Sequence, residues 1–79
     1  MKSIYSDDYR KLIKWLVSKR LLAGMTQAQL AESLKRPQSF VSKYENGERR
    51  LDVIEFINIC SIIDADPNEI ITILRTRGR

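Results

Sequence analysis

Residues 26–47 have the sequence TQAQLAESLKRPQSFVSKYENG, and this stretch decides the fold of the 79-residue chain. Thr26 and Gln29 form a capping box, in which the two side chains satisfy the first free amides of a helix. Pro37 fits the start of a second helix, because a missing backbone amide costs nothing there. The stretch therefore predicts two short helices that are joined by a turn of three residues.

These two helices have the features of a helix-turn-helix. Both are short, the turn is tight, and a small residue, Ala31, lies inside the first helix, where a larger side chain would hold the helices apart. The second helix has Val41 and Tyr44 on its apolar side and polar residues on the opposite side. In helix-turn-helix units that bind DNA, the polar side enters the major groove.

Outside this stretch, Gly24, Gly47 and Pro67 separate further segments whose apolar residues have helical spacing. No segment alternates as a β-strand does, so the sequence predicts an all-α fold, a compact five-helix bundle with the helix-turn-helix at its centre. The predicted helices span residues 7–22, 27–34, 38–46, 53–63 and 67–74. Ser6 or Asp7 can cap the first of them, and Asp52 with Glu55 predicts a second capping box at the start of the fourth. The expected parts of this single domain, residues 1–79, are an N-terminal extension (1–6), the helix-turn-helix unit (about 26–46) and a basic tail (75–79).

The net charge of +4 is unevenly distributed along the chain. Residues 1–50 hold eleven Lys/Arg and five Asp/Glu, residues 51–74 hold five Asp/Glu and no Lys/Arg, and residues 75–79 hold three arginines. A basic first part favours a polyanionic partner such as nucleic acid, although a solvated charged surface would also explain it. Because the acidic segment would repel phosphate, DNA is expected to meet residues 20–50.

The composition also excludes several classes of protein. The chain has no histidine and one cysteine, Cys60, which argues against histidine-based catalysis, most zinc sites and an internal disulfide, and favours the cytoplasm. No apolar run approaches the roughly 20 residues of a membrane span. We find no nucleophile–base set, no metal cluster and no glycine-rich phosphate loop, so we expect a binding module that is not an enzyme and needs no metal or cofactor.

Two sequence pieces together, TQAQLA at residues 26–31 and SFVSKYENG at residues 39–47, resemble the Cro/C1-type (XRE-family) helix-turn-helix. This is the domain of lambdoid phage repressors, Cro proteins and restriction–modification controller proteins. The resemblance covers about residues 10–74 and implies a lambda-repressor-like domain of five helices that binds operator DNA, usually as a dimer on a palindrome.

The chain differs from the family at three places in or beside the turns. Lys35 stands where the family often has glycine in a left-handed conformation, and Asp64 replaces a common glycine after helix four. Such a conformation costs a non-glycine residue about 1 kcal/mol, and aspartate tolerates it. Pro37 stands where the family usually has a polar capping residue, so the entry to helix three is expected to differ slightly.

The residues expected to read bases lie on the outward side of helix three. They are Gln38, Ser39, Ser42 and Lys43. Gln38 matches a reading position of the family, and its amide can pair with adenine, while Lys43 can donate to guanine. A solvated surface amide at Gln38, a phosphate contact at Lys43 and a backbone contact at Ser42 remain alternatives.

The residues expected to bind phosphate surround that helix. They are Gln27, Asn46, Arg49 and Arg50, with Lys35 and Arg36 in the turn as further candidates. Gln27 opens helix two, where a phosphate can sit at the helix N-terminus, or where the side chain can cap the helix. Such contacts fix register and supply salt-dependent affinity, but they do not read sequence.

The resemblance also implies an ion pair between Arg20 and Glu45 that links helix one to the end of helix three. We interpret this pair as structural, because a carboxylate on the inward side of a DNA-reading helix is otherwise hard to explain. For Phe40, packing against a neighbouring helix and contact with a thymine methyl group both remain open.

Helices four and five hold more apolar residues than a small domain usually buries. The expected core residues of helix four are Val53, Phe56, Ile57, Cys60 and Ile63, and Ile59 widens this core face. The expected dimer-interface residues are Ile62, Ile70, Ile71, Ile73 and Leu74. Exposed apolar patches tend to mark interfaces, although a wide core face with scattered surface isoleucines would also account for them.

Two functions are compatible with these features. The first is a sequence-specific transcriptional regulator, a dimeric repressor or autoregulator that binds a palindrome in double-stranded DNA. The alternative is an antitoxin-like module whose helices four and five bind a different protein, such as a toxin, with DNA binding secondary. Symmetric self-association favours the first, and an obligate different partner favours the second.

Overall fold

Five α-helices account for most of residues 6–76, the part of the chain that the computed structural model describes. The helices are α1 (Asp7–Leu22), α2 (Gln27–Leu34), α3 (Gln38–Glu45), α4 (Val53–Ile62) and α5 (Pro67–Thr76). The described residues form no strand, and the predicted all-α fold is confirmed. Residues 1–5 of the expected N-terminal extension and residues 77–79 of the expected tail lie outside the described residues.

Short side chains begin the helices as the sequence predicts. The Ser6 hydroxyl accepts a hydrogen bond from the Tyr9 amide at the start of α1. Complete capping boxes begin α2, with Thr26 and Gln29, and α4, with Asp52 and Glu55. α3 begins without a side-chain cap at Pro37, and the Pro37 carbonyl accepts instead from the Phe40 amide at 2.9 Å.

The turn between α2 and α3 closes without a glycine. Lys35 has the left-handed conformation, with φ 59°, and Asp64 after α4 has φ 56°. The Arg36 amide donates to the Ala31 carbonyl at 3.0 Å, which caps the end of α2. Ala31 itself is buried, so its small side chain allows α2 and α3 to approach each other.

One hydrophobic core joins the helices. α2 packs on α3 and α4, and α1 packs on α3 and α5. The side chains with almost no exposure are Leu16, Leu30, Val41, Tyr44, Ile59, Cys60 and Ile70. Burial raises the pKa of the Cys60 thiol to about 11, so this cysteine behaves as a small apolar residue. The core thus fixes α3 with one side inward and the other free.

The buried face of α4 differs from the prediction. Ile59 is fully buried, whereas Val53 and Ile57, which were expected in the core, are 71% and 41% exposed. The buried stripe follows Phe56, Ile59, Cys60 and Ile63, and Ile57 falls well to one side of it. The apolar excess of α4 therefore faces outward at the start of the helix.

α5 divides its apolar residues between the core and the surface. Ile70 lies in the core, so it is corrected here from an interface candidate to a core residue. Ile71 and Ile73 are exposed, and Leu74 is partly buried. Ile62 at the end of α4 is partly buried as well. The exposed apolar surface of α5 is therefore smaller than the sequence predicts.

Candidate nucleic-acid interface

The outward side of α3 presents four polar side chains. Gln38, Ser39 and Lys43 are exposed and Ser42 is partly exposed, so the structure brings all the predicted base-reading residues to one face. The Ser42 hydroxyl donates to the Ser39 carbonyl at 3.3 Å, within the same helix. The face is uncharged apart from Lys43, and its amide, hydroxyl and ammonium groups can each bond to a base edge.

The inward side of α3 is held by aromatic packing and by Glu45. Phe40 is buried, and its ring meets that of Tyr44 edge to face, with 5.6 Å between centroids. The Tyr44 hydroxyl is buried without a hydrogen-bond partner among the described residues, and burial raises its pKa. Phe40 thus supports α3 from inside, which is the packing alternative and not the thymine contact.

Arg20 and Glu45 form an ion pair where the family resemblance implies one. Arg20 Nε donates to Glu45 Oε2 at 2.8 Å, and Arg20 Nη2 donates to Oε1 at 3.1 Å. The two side chains are only 10% and 5% exposed. Arg20 Nη1 also donates to the Met25 carbonyl at 2.8 Å, so the pair ties α1 to the end of α3 and to the loop before α2.

Gln27 joins the same cluster, which the sequence did not indicate. Its Nε2 donates to Glu45 Oε1 at 2.8 Å, so the side chain is directed at the ion pair. Capping of α2 falls to Thr26 and Gln29. The backbone amide of Gln27, at the first position of α2, is the group left to meet a phosphate at the helix N-terminus.

A second charged cluster lies beside the start of α3. Arg49 Nη1 and Nη2 donate to Glu55 Oε1 and Oε2, each at 2.9 Å, and Arg36 Nη2 donates to Glu55 Oε2 at 3.4 Å. Both guanidinium groups also lie on the Phe40 ring, with Cζ at 4.0 Å for Arg36 and 4.8 Å for Arg49. We call Arg36, Phe40, Arg49 and Glu55 the arginine cluster.

The charge state of the arginine cluster follows from these contacts. The hydrogen bond from Arg49 lowers the pKa of the Glu55 carboxyl to about 2, and the same bond raises the pKa of Arg49. The cluster therefore holds two positive charges and one negative charge at neutral pH. The sequence indicated Glu55 only as the capping residue of α4, because its partners lie 6 and 19 positions away.

The remaining phosphate candidates lie next to α3 in the sequence and are exposed. Lys35 and Asn46 are exposed at the turn before α3 and at the end of α3. Arg50 lies over the Tyr9 ring, 4.7 Å from its centroid, and the Tyr9 hydroxyl accepts from the Leu51 amide at 2.9 Å. The two segments that flank α3 in the sequence therefore both carry cationic groups.

The acidic residues of segment 51–74 lie mostly at the ends of α4 and α5. Asp52 caps the start of α4, and Asp64 and Asp66 lie in the turn between α4 and α5; all three are exposed. Glu69 of α5 accepts from Trp15 Nε1 at 3.1 Å and pairs with Lys19, and these bonds lower the pKa of its carboxyl. No helix within residues 6–76 combines the length and the apolar composition that crossing a membrane requires.

Comparisons with known proteins agree with this geometry. A family model described as helix-turn-helix matches residues 16–70. The solved structure of an XRE-family like protein from Pseudomonas syringae pv. tomato str. DC3000 is similar at 49% sequence identity, with a TM-score of 0.85. That match covers 91% of this chain and 88% of the other. The comparison with curated proteins gives no match. The chain belongs to the Cro/C1-type (XRE) helix-turn-helix family, a family of DNA-binding transcription regulators.

Proposed function

We propose that the protein is a dimeric, sequence-specific repressor or autoregulator that binds a palindromic operator with α3 in the major groove. The observation that carries the proposal is the two-sided character of α3. Its inward side is fixed by Phe40, Val41 and Tyr44, and its outward side carries polar groups that no other helix covers. A repressor of this kind occupies its operator in the cytoplasm and blocks polymerase, and it acts by binding and not by catalysis.

In this proposal the outward residues of α3 read the bases. Gln38 lies at the N-terminal end of α3, where recognition helices approach base edges most closely, and an adenine suits its amide. Lys43 lies one turn after Ser39 and can donate to guanine O6 and N7. Ser39 and Ser42 are short enough to contact bases from the same face.

The groups around α3 bind the DNA backbone. Lys35, Asn46 and Arg50 are exposed at its two ends, and the α2 N-terminus at Gln27 adds a backbone amide. Arg36 and Arg49 contribute guanidinium groups from the arginine cluster. Contacts of this kind set the register of the protein and make its affinity depend strongly on salt.

A two-fold dimer through α5 completes the proposal. Ile71 and Ile73 are the exposed apolar residues of α5, and Leu74 and Ile62 border them. A symmetric interface there would set two copies of α3 about 34 Å apart, one turn of DNA. Ile70 takes no part, because its side chain is already buried in the core.

A second candidate function rests on α4. Val53, Ile54 and Ile57 are exposed apolar residues in the first half of α4. An antitoxin-like protein would use such a surface for a different protein, and its DNA binding would be secondary. Self-association through α5 supports the repressor, whereas a monomer that binds a different protein supports the alternative.

Fluorescence anisotropy tests the main proposal. The protein is titrated against a labelled duplex from upstream of its own gene and against a scrambled duplex, at two salt concentrations. We expect a Kd near 10⁻⁸ M or tighter for the upstream duplex and a steep loss of affinity with salt. Equal binding to both duplexes at both salt concentrations would contradict a sequence-specific regulator.

A further inference from the structure

We propose that Glu55 is a positioning residue for DNA binding, which holds Arg36 and Arg49 as a paired phosphate clamp beside α3. The inference rests on the proposed phosphate role of the two arginines and goes beyond it. It assigns a DNA-binding task to a negatively charged residue, Glu55, which is the one charged residue of α4.

The first step is the saturation of the Glu55 carboxylate by donors. Oε1 accepts from Arg49 Nη1 and from the Asp52 amide at 3.0 Å, while Oε2 accepts from Arg49 Nη2 and Arg36 Nη2. The Glu55 side chain is 15% exposed. A carboxylate with this many partners is fixed in position, and it fixes the groups that donate to it.

The second step is the convergence of two separate segments on one ring. Arg36 comes from the turn before α3 and Arg49 from the loop after it, yet both guanidinium groups lie within 5 Å of the Phe40 ring centre. Two guanidinium groups so close together repel each other. The shared carboxylate and the aromatic face offset that repulsion, so the pair is assembled before DNA arrives.

The third step is what remains available to a ligand. Arg36 uses a single nitrogen in its contact with Glu55, and about two fifths of each arginine side chain is exposed. Arg49 also donates from Nη1 to the Arg50 carbonyl at 2.8 Å, so it makes three of the five N–H bonds open to a guanidinium. The N–H groups that remain on each arginine can donate to phosphate oxygens while the contacts with Glu55 persist. The clamp therefore retains a net positive charge and has lost most of its side-chain freedom before it binds.

The test compares two variants with the same change of charge. Glu55→Gln removes the ion pairs but keeps an oxygen for the capping box, as Gln29 does in α2. Asp52→Asn also removes one negative charge, three residues away, and keeps a good capping residue. Electrostatics alone predicts tighter DNA binding for both variants, because each raises the net charge by one.

If Glu55 positions Arg36 and Arg49, the two variants should instead differ in DNA affinity. We expect Glu55→Gln to weaken binding about fivefold and to reduce the salt slope by about one phosphate contact, while Asp52→Asn binds as well as the wild type or better. Anisotropy titrations over a series of salt concentrations measure both quantities, with circular dichroism to verify folding. Binding by Glu55→Gln that equals or exceeds that of Asp52→Asn overturns the proposal.

A further variant and a mutant cycle test whether Glu55 acts through the two arginines. Arg49→Lys keeps the charge but loses the two-pronged contact with Glu55, so it should also bind more weakly, whatever the stability of Glu55→Gln. In a chain with both Arg36→Gln and Arg49→Gln, adding Glu55→Gln should cause no further loss. A loss of the same size in that background would show that Glu55 acts by another route.

The choice of DNA distinguishes failure of this inference about Glu55 from failure of the proposed regulator function. Phosphate contacts are independent of sequence, so the comparison is also made on a labelled duplex of arbitrary sequence. If the wild type binds the upstream and arbitrary duplexes equally, the sequence-specific regulator fails, yet the comparison of Glu55→Gln with Asp52→Asn still decides the role of Glu55.

Discussion

At the end of α3, the Glu45 carboxylate accepts hydrogen bonds from three nitrogen atoms of two other residues, Arg20 and Gln27. The site is nearly inaccessible to water, so the attraction between the Arg20 and Glu45 charges has to offset the hydration that both have lost. The pair is buried at the C-terminal end of α3, so we expect it to affect DNA binding through the placement of the helix.

Replacement of Glu45 by glutamine should lower stability and leave base preference unchanged. The substitution leaves the Arg20 guanidinium buried without a countercharge, and we expect the free energy of unfolding to fall by about 3 kcal/mol. Urea unfolding measures the loss, and Glu48→Gln, at an exposed carboxylate in the next turn, is the control. The ratio of Kd values over a panel of base substitutions should stay constant. A changed ratio with unchanged stability would reject the structural role.

Lys43 and Arg49 should differ in how their loss affects DNA binding. Lys43→Ala removes a group on the base-reading face and should change the order of preference among substituted operators, at a cost of about 1–3 kcal/mol on the best one. Arg49→Ala should weaken all sequences by a similar factor and lower the salt slope by about one. Binding to a base-substitution panel at several salt concentrations distinguishes them. Identical profiles for the two variants would contradict the assigned roles.

At the scale of the elements, the start of α4 combines two tasks in one residue. Glu55 closes the capping box with Asp52 and also carries the ion pairs of the arginine cluster. Glu55 thereby couples the start of α4 to the loop between α3 and α4. We expect the first turn of α4 and that loop to unfold together.

Acid should reduce the stability that the Glu55 ion pairs contribute, and it should do so in a defined pH range. The pKa of Glu55 is about 2 in the folded chain and near 4.5 when it is unperturbed, so its stabilisation is complete above pH 4.5 and is lost as the pH falls towards 2. We expect the free energy of unfolding of Glu55→Gln to depend less on pH across this range than that of the wild type. Urea unfolding at a series of pH values measures the difference, with Glu48→Gln as the control for one lost charge. Parallel curves for wild type and Glu55→Gln would contradict the effect.

The helices themselves were predictable because their signals are local. Capping residues lie within three positions of the amides they satisfy, and helix bounds agree with the structure to within two residues. The contacts of Gln27 with Glu45 and of Glu55 with Arg36 were not predictable, because they join residues 18 and 19 positions apart. Such pairs depend on how the helices cross. The same reason explains Val53 and Ile57, whose exposure depends on where α4 meets its neighbours.

At the scale of the whole molecule, the proposed dimer surface and the proposed DNA contacts come from different elements. Ile71 and Ile73 are exposed on α5, within the acidic segment 51–74, whereas the proposed DNA contacts come from α3 and from residues next to it in the sequence. A dimer through α5 would therefore bury apolar surface without using the residues that are proposed to contact DNA.

Ile71→Lys should disrupt that dimer. Burying an ammonium group in an apolar interface is costly, so we expect the variant to be monomeric and to lose at least tenfold in affinity for a palindromic duplex. Sedimentation velocity measures the first effect and anisotropy the second. Ile54→Lys adds the same charge at an exposed isoleucine of α4 and is the control. A dimer that survives Ile71→Lys but is lost with Ile54→Lys would place the interface on α4.

The exposed cationic side chains that flank α3 in the sequence also affect how the protein reaches DNA. Lys35, Arg36 and Arg50 are exposed, and the field of a duplex attracts such groups before contact. Association should therefore be faster at low salt than it would be for an uncharged surface. Added salt shortens the distance over which this attraction acts, and it should slow association far more than it speeds dissociation.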